Sequence, residues 1–449
     1  MSKIRFISFT LLLSVLSCAG LHAQQSAAVA PARAAKRPSD YLNEQMPKWV
    51  RLNGEVRGRI EGLTGIGYGT SNDAYWLHRV RLNMTLLPTA WMKLQLQAQD
   101  AQVFGRNAKP DGPPFADTMD LRAAYLEVGD PEKQTFALRA GRQELVFGAQ
   151  RLVGHVSWLN TARTFDAVRA TMRAKLGAAS YRLDAFAASV VNIRDADFNK
   201  RAAGNNFHGA YGSITSLVPL ATIEPYGFWR LSPRLTAETG TRGNLDAKTI
   251  GVRWVGKLPA GVDYGMEMAR QVGSLASDDV DAWAGHWVAG VVAPMIAYSP
   301  RVFVEYNFAS GDADPRDGSR GTFDQLYPTA HDKYGLADQV GWRNIHHGRA
   351  GIEMKPQAKL LVTVGYQTYW LDSARDGLYA ATGALVARRA DGSAGRRVGT
   401  EMDLQAVYTL SPQIQISGGF GRLFPGAFLR ATTPGGDYQF SYLMWNYTF

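Results

Sequence analysis

From residue 48 to the end of the chain, apolar and polar residues trade places at every second position, run after run. In residues 79–86, Val80, Leu82, Met84 and Leu86 fall on one face, and Arg79, Arg81, Asn83 and Thr85 on the other. Residues 92–99 set Met92, Leu94, Leu96 and Ala98 against Lys93, Gln95, Gln97 and Gln99. A period of two belongs to a β-strand with one apolar face. A water-soluble sandwich alternates too, but it rarely needs so many strands of about ten residues. A membrane barrel requires ~9–11 residues per crossing, apolar toward lipid and polar toward the lumen. Beyond the N-terminal segment no stretch approaches the ~20 apolar residues of a spanning helix. The apolar residues, 46% of the chain, are spaced for sheets.

The connections sharpen this reading. Short ones carry Pro, Gly or Lys, as in LLPTA, GDPEKQ, KLGAAS, GKLPAG, KPQAK and LSPQ. They alternate with long ones at 103–118, 147–162, 192–206, 232–246, 311–346, 372–399 and 425–437. The expectation is an all-β fold: a transmembrane antiparallel β-barrel of about 18 strands, with short periplasmic turns and long extracellular loops. A barrel of that size leaves an aqueous channel rather than a filled interior. The pattern blurs at 207–231 and 282–299, where Gly and Pro intervene. At the C-terminus Leu443, Trp445, Tyr447 and Phe449 share one face. They suit a lipid-facing closing strand with an interfacial aromatic girdle. The ending resembles the aromatic signal through which the barrel assembly machinery of the outer membrane reads Phe449.

Residues 1–23 read as a cleaved secretory signal, with Lys3 and Arg5 ahead of an apolar run and Leu21-His22-Ala23 before the cut. Cys18, the only cysteine, lies within it; the stretch ending at Cys18 also resembles a lipoprotein box, which would make Cys18 an acylated first residue. Residues 24–47, rich in Ala, Pro and charge, read as a flexible periplasmic lead-in, and 48–449 as the barrel. The expected location is the outer membrane of a Gram-negative bacterium, in contact with its lipid. A net charge of +10 favours anionic partners. Nucleic acid is excluded for an exported chain without basic runs.

One stretch is more specific. Residues 141–169 carry Gly141-Arg142-Gln143-Glu144, then Arg151-Leu152, Trp158, Asn160, Arg163-Thr164-Phe165-Asp166 and Arg169. This resembles the signature of the alginate export family of outer-membrane barrels, and residues 307–345 resemble that family's long loop. The resemblance implies a monomeric barrel of eighteen strands with an arginine-rich constriction and no cofactor. It also implies export of an acidic polysaccharide, the activity of the family's name-giving member.

Alternation then places charges. Arg57 and Arg59, Arg79 and Arg81, Lys93, Arg139, Arg169 and Arg173, Arg253 and Arg349 fall on lumen faces, while Arg142, Arg151 and Arg163 fall at or within the signature loop. Guanidinium groups stay charged and grip carboxylates in pairs of hydrogen bonds, so a ring of them favours anions over cations. Asp184, Glu267, Glu305, Glu353 and Asp403 share the inward parity and would neutralise part of the set as cross-strand neighbours. Carboxylates among arginines would also keep binding weak enough for release.

The transport readings are export of an acidic polysaccharide and, as the alternative, a porin for small anions such as uronates or aromatic acids. A receptor with loops 311–346 and 372–399 plugging the lumen, and a lipid-modifying enzyme, are the competing classes. The enzyme reading rests on His155-Val156-Ser157, which lacks the third group that orients a base. Asp312, Asp314 and Asp317 are spaced one residue too long for an EF-hand and read as solvated loop. His346-His347, if on a strand, point to opposite faces and make no metal site alone.

Overall fold

The computed structural model describes residues 36–449 apart from 110, 196, 238 and 239. The signal segment, Cys18 and the first part of the lead-in lie outside the described residues. A short helix α1, Pro38–Gln45, precedes the sheet, and the Asn43 amide side chain bonds both the N–H and the carbonyl of Leu52.

Eighteen antiparallel strands follow and close on themselves. They are β1 Val50–Ile66, β2 Ser71–Thr89, β3 Met92–Phe104, β4 Asp117–Val128, β5 Phe136–Gln143 and β6 Phe165–Leu176. Next come β7 Ala179–Asn192, β8 Lys200–Thr215, β9 Ala221–Thr236, β10 Arg242–Lys257, β11 Val262–Leu275 and β12 Asp278–Val292. The last six are β13 Arg301–Ala309, β14 Ile345–Gln357, β15 Leu360–Trp370, β16 Arg397–Thr409, β17 Ile414–Pro425 and β18 Tyr438–Thr448. Each pairs with its successor, and β18 returns to β1 in register from Glu55↔Thr448 to Thr64↔Gln439. Closure leaves no edge with unpaired backbone groups, which hydrocarbon cannot satisfy. Trp445 lies over Gly58 on this seam; a Cβ there would meet the indole nitrogen at 2.5 Å.

The outward face is the apolar one. Ile60, Leu82, Val168, Ile250, Val304, Leu404 and Leu443 are 49–67% exposed, a surface that water would not tolerate and lipid does. Among the described residues no helix is long and apolar enough to cross a membrane; the strands do so.

Three expectations are corrected. Connections 192–206 and 232–246 are largely strand, because β8 starts at Lys200, β9 runs to Thr236 and β10 starts at Arg242. Strand beyond the bilayer meets water on both faces, so its hydrophobic alternation fades while backbone pairing continues. The blurred stretch 207–231 is a β8–β9 hairpin; a Cβ on Gly209 would sit 2.7 Å from the Phe228 ring, and one on Gly212 3.1 Å from Pro225.

The third correction concerns the interior, which is neither uniformly polar nor left to water. Residues 144–164 and 310–344 fold inside the barrel. Trp158 meets Arg59 on β1 and Tyr442 on β18, while Arg151 reaches His286 on β12 and Glu305 on β13. A segment touching opposite walls lies within. The two loops join by backbone bonds, Gly154 N–H to Tyr327 O and Tyr327 N–H to Leu152 O, both 2.8 Å. Their apolar faces pack on inward aromatics of β7–β9: Phe147 stacks on Tyr211 at 4.9 Å and Phe186 at 5.4 Å. Glu401 and Asp403 on β16 accept the Ala337 and Leu336 N–H groups, which holds the second loop to the wall.

Candidate functional site

Inward arginines gather on β1–β4. Arg57 and Arg79 are direct cross-strand partners, a like-charge pairing that costs rather than stabilises. Arg57 donates to the Ser157 carbonyl at 2.7 Å and to Asn160 Oδ1 at 3.2 Å; it has no carboxylate partner in ion-pair range among the described residues. Arg79 bonds Glu55 at 2.5 Å and the Ser157 carbonyl at 3.0 Å. Arg81 bonds Gln99 at 2.8 Å and shares Glu55 at 3.8 Å. Arg122 on β4 completes the group, bonded to Glu144 and Gln97, both at 2.5 Å. Three guanidinium groups therefore share two carboxylates, and Arg57 stands beside them with none. The Nε of Arg57, Nη2 of Arg81 and Nε of Arg122 are buried without an acceptor. Burial works to raise the Glu144 carboxyl, but Arg122, then His155 and Arg81, outweigh it and hold it down to about 2. Arg59 differs: it pairs with Glu61 at 2.7 Å and lies 3.8 Å over Trp158, whose other face stacks on His331 at 3.6 Å.

A second basic strip runs along β3–β7 toward the short-turn rim. Lys93 and Arg139 both pair with Glu127. Arg169 and Arg182 share Asp184 at 3.0 and 2.8 Å, and Arg182 and Arg173 share Glu132 at 2.6 and 3.0 Å. Five cations thus share three carboxylates. Arg139 stands opposite Arg169, and Arg173 opposite Arg182.

The β9–β14 wall is built the other way. Arg253 faces Glu224 on one side and Glu267 on the other, and Arg349 faces Glu305. Arg151 pairs with Glu305 at 3.0 Å, fully enclosed, with His286 at 3.1 Å. Glu353 pairs with Arg301 at 3.1 Å. Arg163 donates to the Gly154 and Pro328 carbonyls, both 3.1 Å, and so ties the two inner loops together. Arg142, at the long-loop end of β5, is held by Asp166 at 2.8 Å and the Asn199 carbonyl at 3.0 Å.

Sequence reasoning missed Arg122 and Arg182. A bulge at Gln97/Ala98 shifts the β4 register, so both Arg122 and Ala123 are buried and simple parity fails there. Arg182 was legible, since it shares the parity of Asp184. The other motifs resolve into structure. His155 Nδ1 meets Gln150 at 2.9 Å, and Ser157 offers its carbonyl to the arginines. Asp314 and Asp317 are exposed, but Asp312 is 1% exposed and accepts the Gly321 N–H at 3.0 Å, because the loop turns inward there. His347 is buried between Asn307 and Gln367, and His346 meets Tyr306 and Asp372 on the other face.

Known proteins match this architecture. No curated protein matches the sequence. Among solved structures, Pseudomonas aeruginosa OpdQ superposes with a TM-score of 0.60 at 12% identity, covering 90% of this chain and 98% of its own. Acinetobacter baumannii OccAB2 gives 0.57 at 10%, covering 89% and 98%. Pseudomonas aeruginosa OpdK, solved with vanillate, gives 0.57 at 9%, covering 89% and 98%. At such identity these outer-membrane porins share the fold. The family model for alginate export matches residues 48–438, and the chain belongs to that family of Gram-negative outer-membrane barrels.

Proposed function

We propose that this protein is an anion-selective channel for carboxylate-bearing solutes, and not an enzyme. The observation that carries this reading is the set of opposed arginines: Arg57↔Arg79, Arg139↔Arg169 and Arg173↔Arg182. Facing like charges are unfavourable for the sheet, so their concentration on one inner wall calls for a ligand that offsets them. Guanidinium forks match carboxylates, and the shared Glu55, Glu127 and Asp184 keep each site weak enough for release. Selection acts along β1–β7: the partly exposed Lys93, Arg139, Arg169 and Arg173 meet the solute, and the buried Arg57, Arg79, Arg81 and Arg122 contribute through their field.

The family's description favours export of an acidic polysaccharide. The packing of residues 144–164 and 310–344 across the interior favours the alternative, passage of small carboxylates, because a polymer would have to displace loops tied through Arg151, Arg163 and Trp158. We take small carboxylates as the reading the geometry supports best. The barrel closes within one chain, which suits a monomer, and Phe449 suits recognition by the assembly machinery. The division into a signal (1–23), a periplasmic lead-in (24–47) and a barrel (48–449) completes the proposal.

Proteoliposomes test it. Influx of galacturonate or benzoate, with little block by polyuronate, is expected. Block by polyuronate with exclusion of the monomers would move the reading to polymer export. Exclusion of all anions would end both.

A further inference from the structure

On the long-loop side of β9–β12 the inner wall turns apolar. Leu245, Leu275 and Val280 are 7%, 1% and 7% exposed and form their own cluster with Ala247, flanked by Leu235. Inward positions of a barrel with a wet lumen are normally polar, so this patch stands out. It borders a cavity of about 270 Å³, near the lower end of the ~300–1,000 Å³ of small-molecule pockets.

The rest of the lining is cationic. Arg230 comes from β9, and Arg320 and Arg343 from the inner loop. Ser319–Arg320 pairs in parallel with Asp279–Val280, which sets Arg320 beside Val280 on the inner face. Arg343 is held over the Tyr379 ring at 4.3 Å and donates weakly to the Gly383 carbonyl at 3.3 Å. Asp324 is the one carboxylate of the lining, and it pairs with Arg230. Its backbone is fixed by Gln271, which accepts its N–H and donates to its carbonyl, both at 2.7 Å. Arg320 and Arg343 have no carboxylate partner in ion-pair range among the described residues, and the Nε groups of Arg230 and Arg343 are buried without an acceptor. Against three guanidinium groups stands a single acid.

We propose that this cavity is a binding site for a small organic monoanion with an apolar body, its carboxylate held by Arg320 and Arg343 and its hydrocarbon part on Leu245, Leu275 and Val280. The combination selects on two counts. A neutral molecule of the same shape leaves the guanidinium donors unmatched, and a hydroxylated sugar acid must strip its hydroxyls against leucine and valine. The site is separate from the arginines of β1–β7. It deepens the small-carboxylate reading, on which it rests for a route through the barrel.

Equilibrium binding tests it without requiring transport. Benzoate, benzyl alcohol and galacturonate would be titrated calorimetrically into the full-length barrel in detergent, with empty micelles subtracted. Saturable binding of benzoate is expected, with the other two weaker by about tenfold or more, the equivalent of one lost charged hydrogen bond. Arg343→Gln and, at the rim, Arg320→Gln should each weaken benzoate by a similar factor, with the barrel's circular dichroism unchanged; Leu245→Ser should weaken benzoate but not galacturonate. Absence of saturable benzoate binding overturns the proposal. So does equal binding of galacturonate, or indifference to Arg320→Gln. Reversal potentials from the same preparation separate the two failures: anion selectivity without benzoate binding sinks the pocket alone, and benzoate binding in a cation-selective barrel sinks the channel reading alone.

Discussion

The two inner walls of the barrel treat arginine in opposite ways. On β9–β14, Arg253 stands opposite Glu224 and Glu267, Arg349 opposite Glu305 and Arg301 opposite Glu353, while Arg230 pairs with Asp324 of the inner loop. On β1–β7, arginine stands opposite arginine three times over. Both arrangements hold the inner loops: Glu305 takes Arg349 and the loop's Arg151, and Arg57 and Arg79 donate to the Ser157 carbonyl. Buried nitrogens without an acceptor occur on both walls, at Arg57, Arg81 and Arg122 and at Arg230 and Arg349, so what sets the second wall apart is its like-charge register. Composition alone would count both walls as charged. Register separates charge neutralised across strands from charge that is not; of the latter, Arg139, Arg169, Arg173 and Arg182 keep part of their side chains exposed, whereas Arg57, Arg79 and Arg81 are buried.

The comparison breaks most visibly if the paired wall proves dispensable. Arg151→Ala leaves Glu305 buried with the Asn307 amide at 3.0 Å and its nearest guanidinium, Arg349, 3.8 Å away, and stranding a buried charge costs about 3–5 kcal/mol; urea unfolding in detergent reads the loss directly. Trp158→Ala removes the ring between Arg59 and His331. Truncating a buried Trp costs roughly 3–5 kcal/mol at full burial, and at a loop tip the expected consequence is the lower end of that range, with larger and noisier single-channel currents as the loop loosens. Arg139→Gln should act oppositely. It relieves repulsion with Arg169 and leaves Glu127 to Lys93, so stability should move by no more than ~1 kcal/mol while anion selectivity falls. At the small end, Arg270→Ala removes the pair with Asp281, both partners largely exposed, and should change neither the unfolding midpoint nor the current.

Much of this was legible in the sequence, for a physical reason. Lipid outside and water inside force a period of two, which by itself puts Leu82 and Val168 on the outer face and Arg79 and Arg169 on the inner one. The closing strand followed from the same rule, as did the opposite faces of His346 and His347. What was hidden depends on contacts between distant segments. The bulge that turns Arg122 inward has no local signature. The aromatic wall of Phe186, Phe207 and Tyr211 makes sense only once Phe147 is delivered to it by a loop. The arginines of the signature were recognisable as a motif. Only packing shows that Arg151 and Arg163 tie loops together, while Arg57, Arg79 and Arg81 face them from the wall.

The most direct test of the central claim is the reversal potential of single channels in a planar bilayer under a salt gradient. It would be measured for the native chain, for Arg81→Gln combined with Arg139→Gln, and for Arg253→Gln combined with Glu224→Gln. The account predicts anion selectivity in the native channel, a marked loss in the first variant, and none in the second, whose charges cancel. Cation selectivity in the native channel, or equal effects of the two variants, would contradict it.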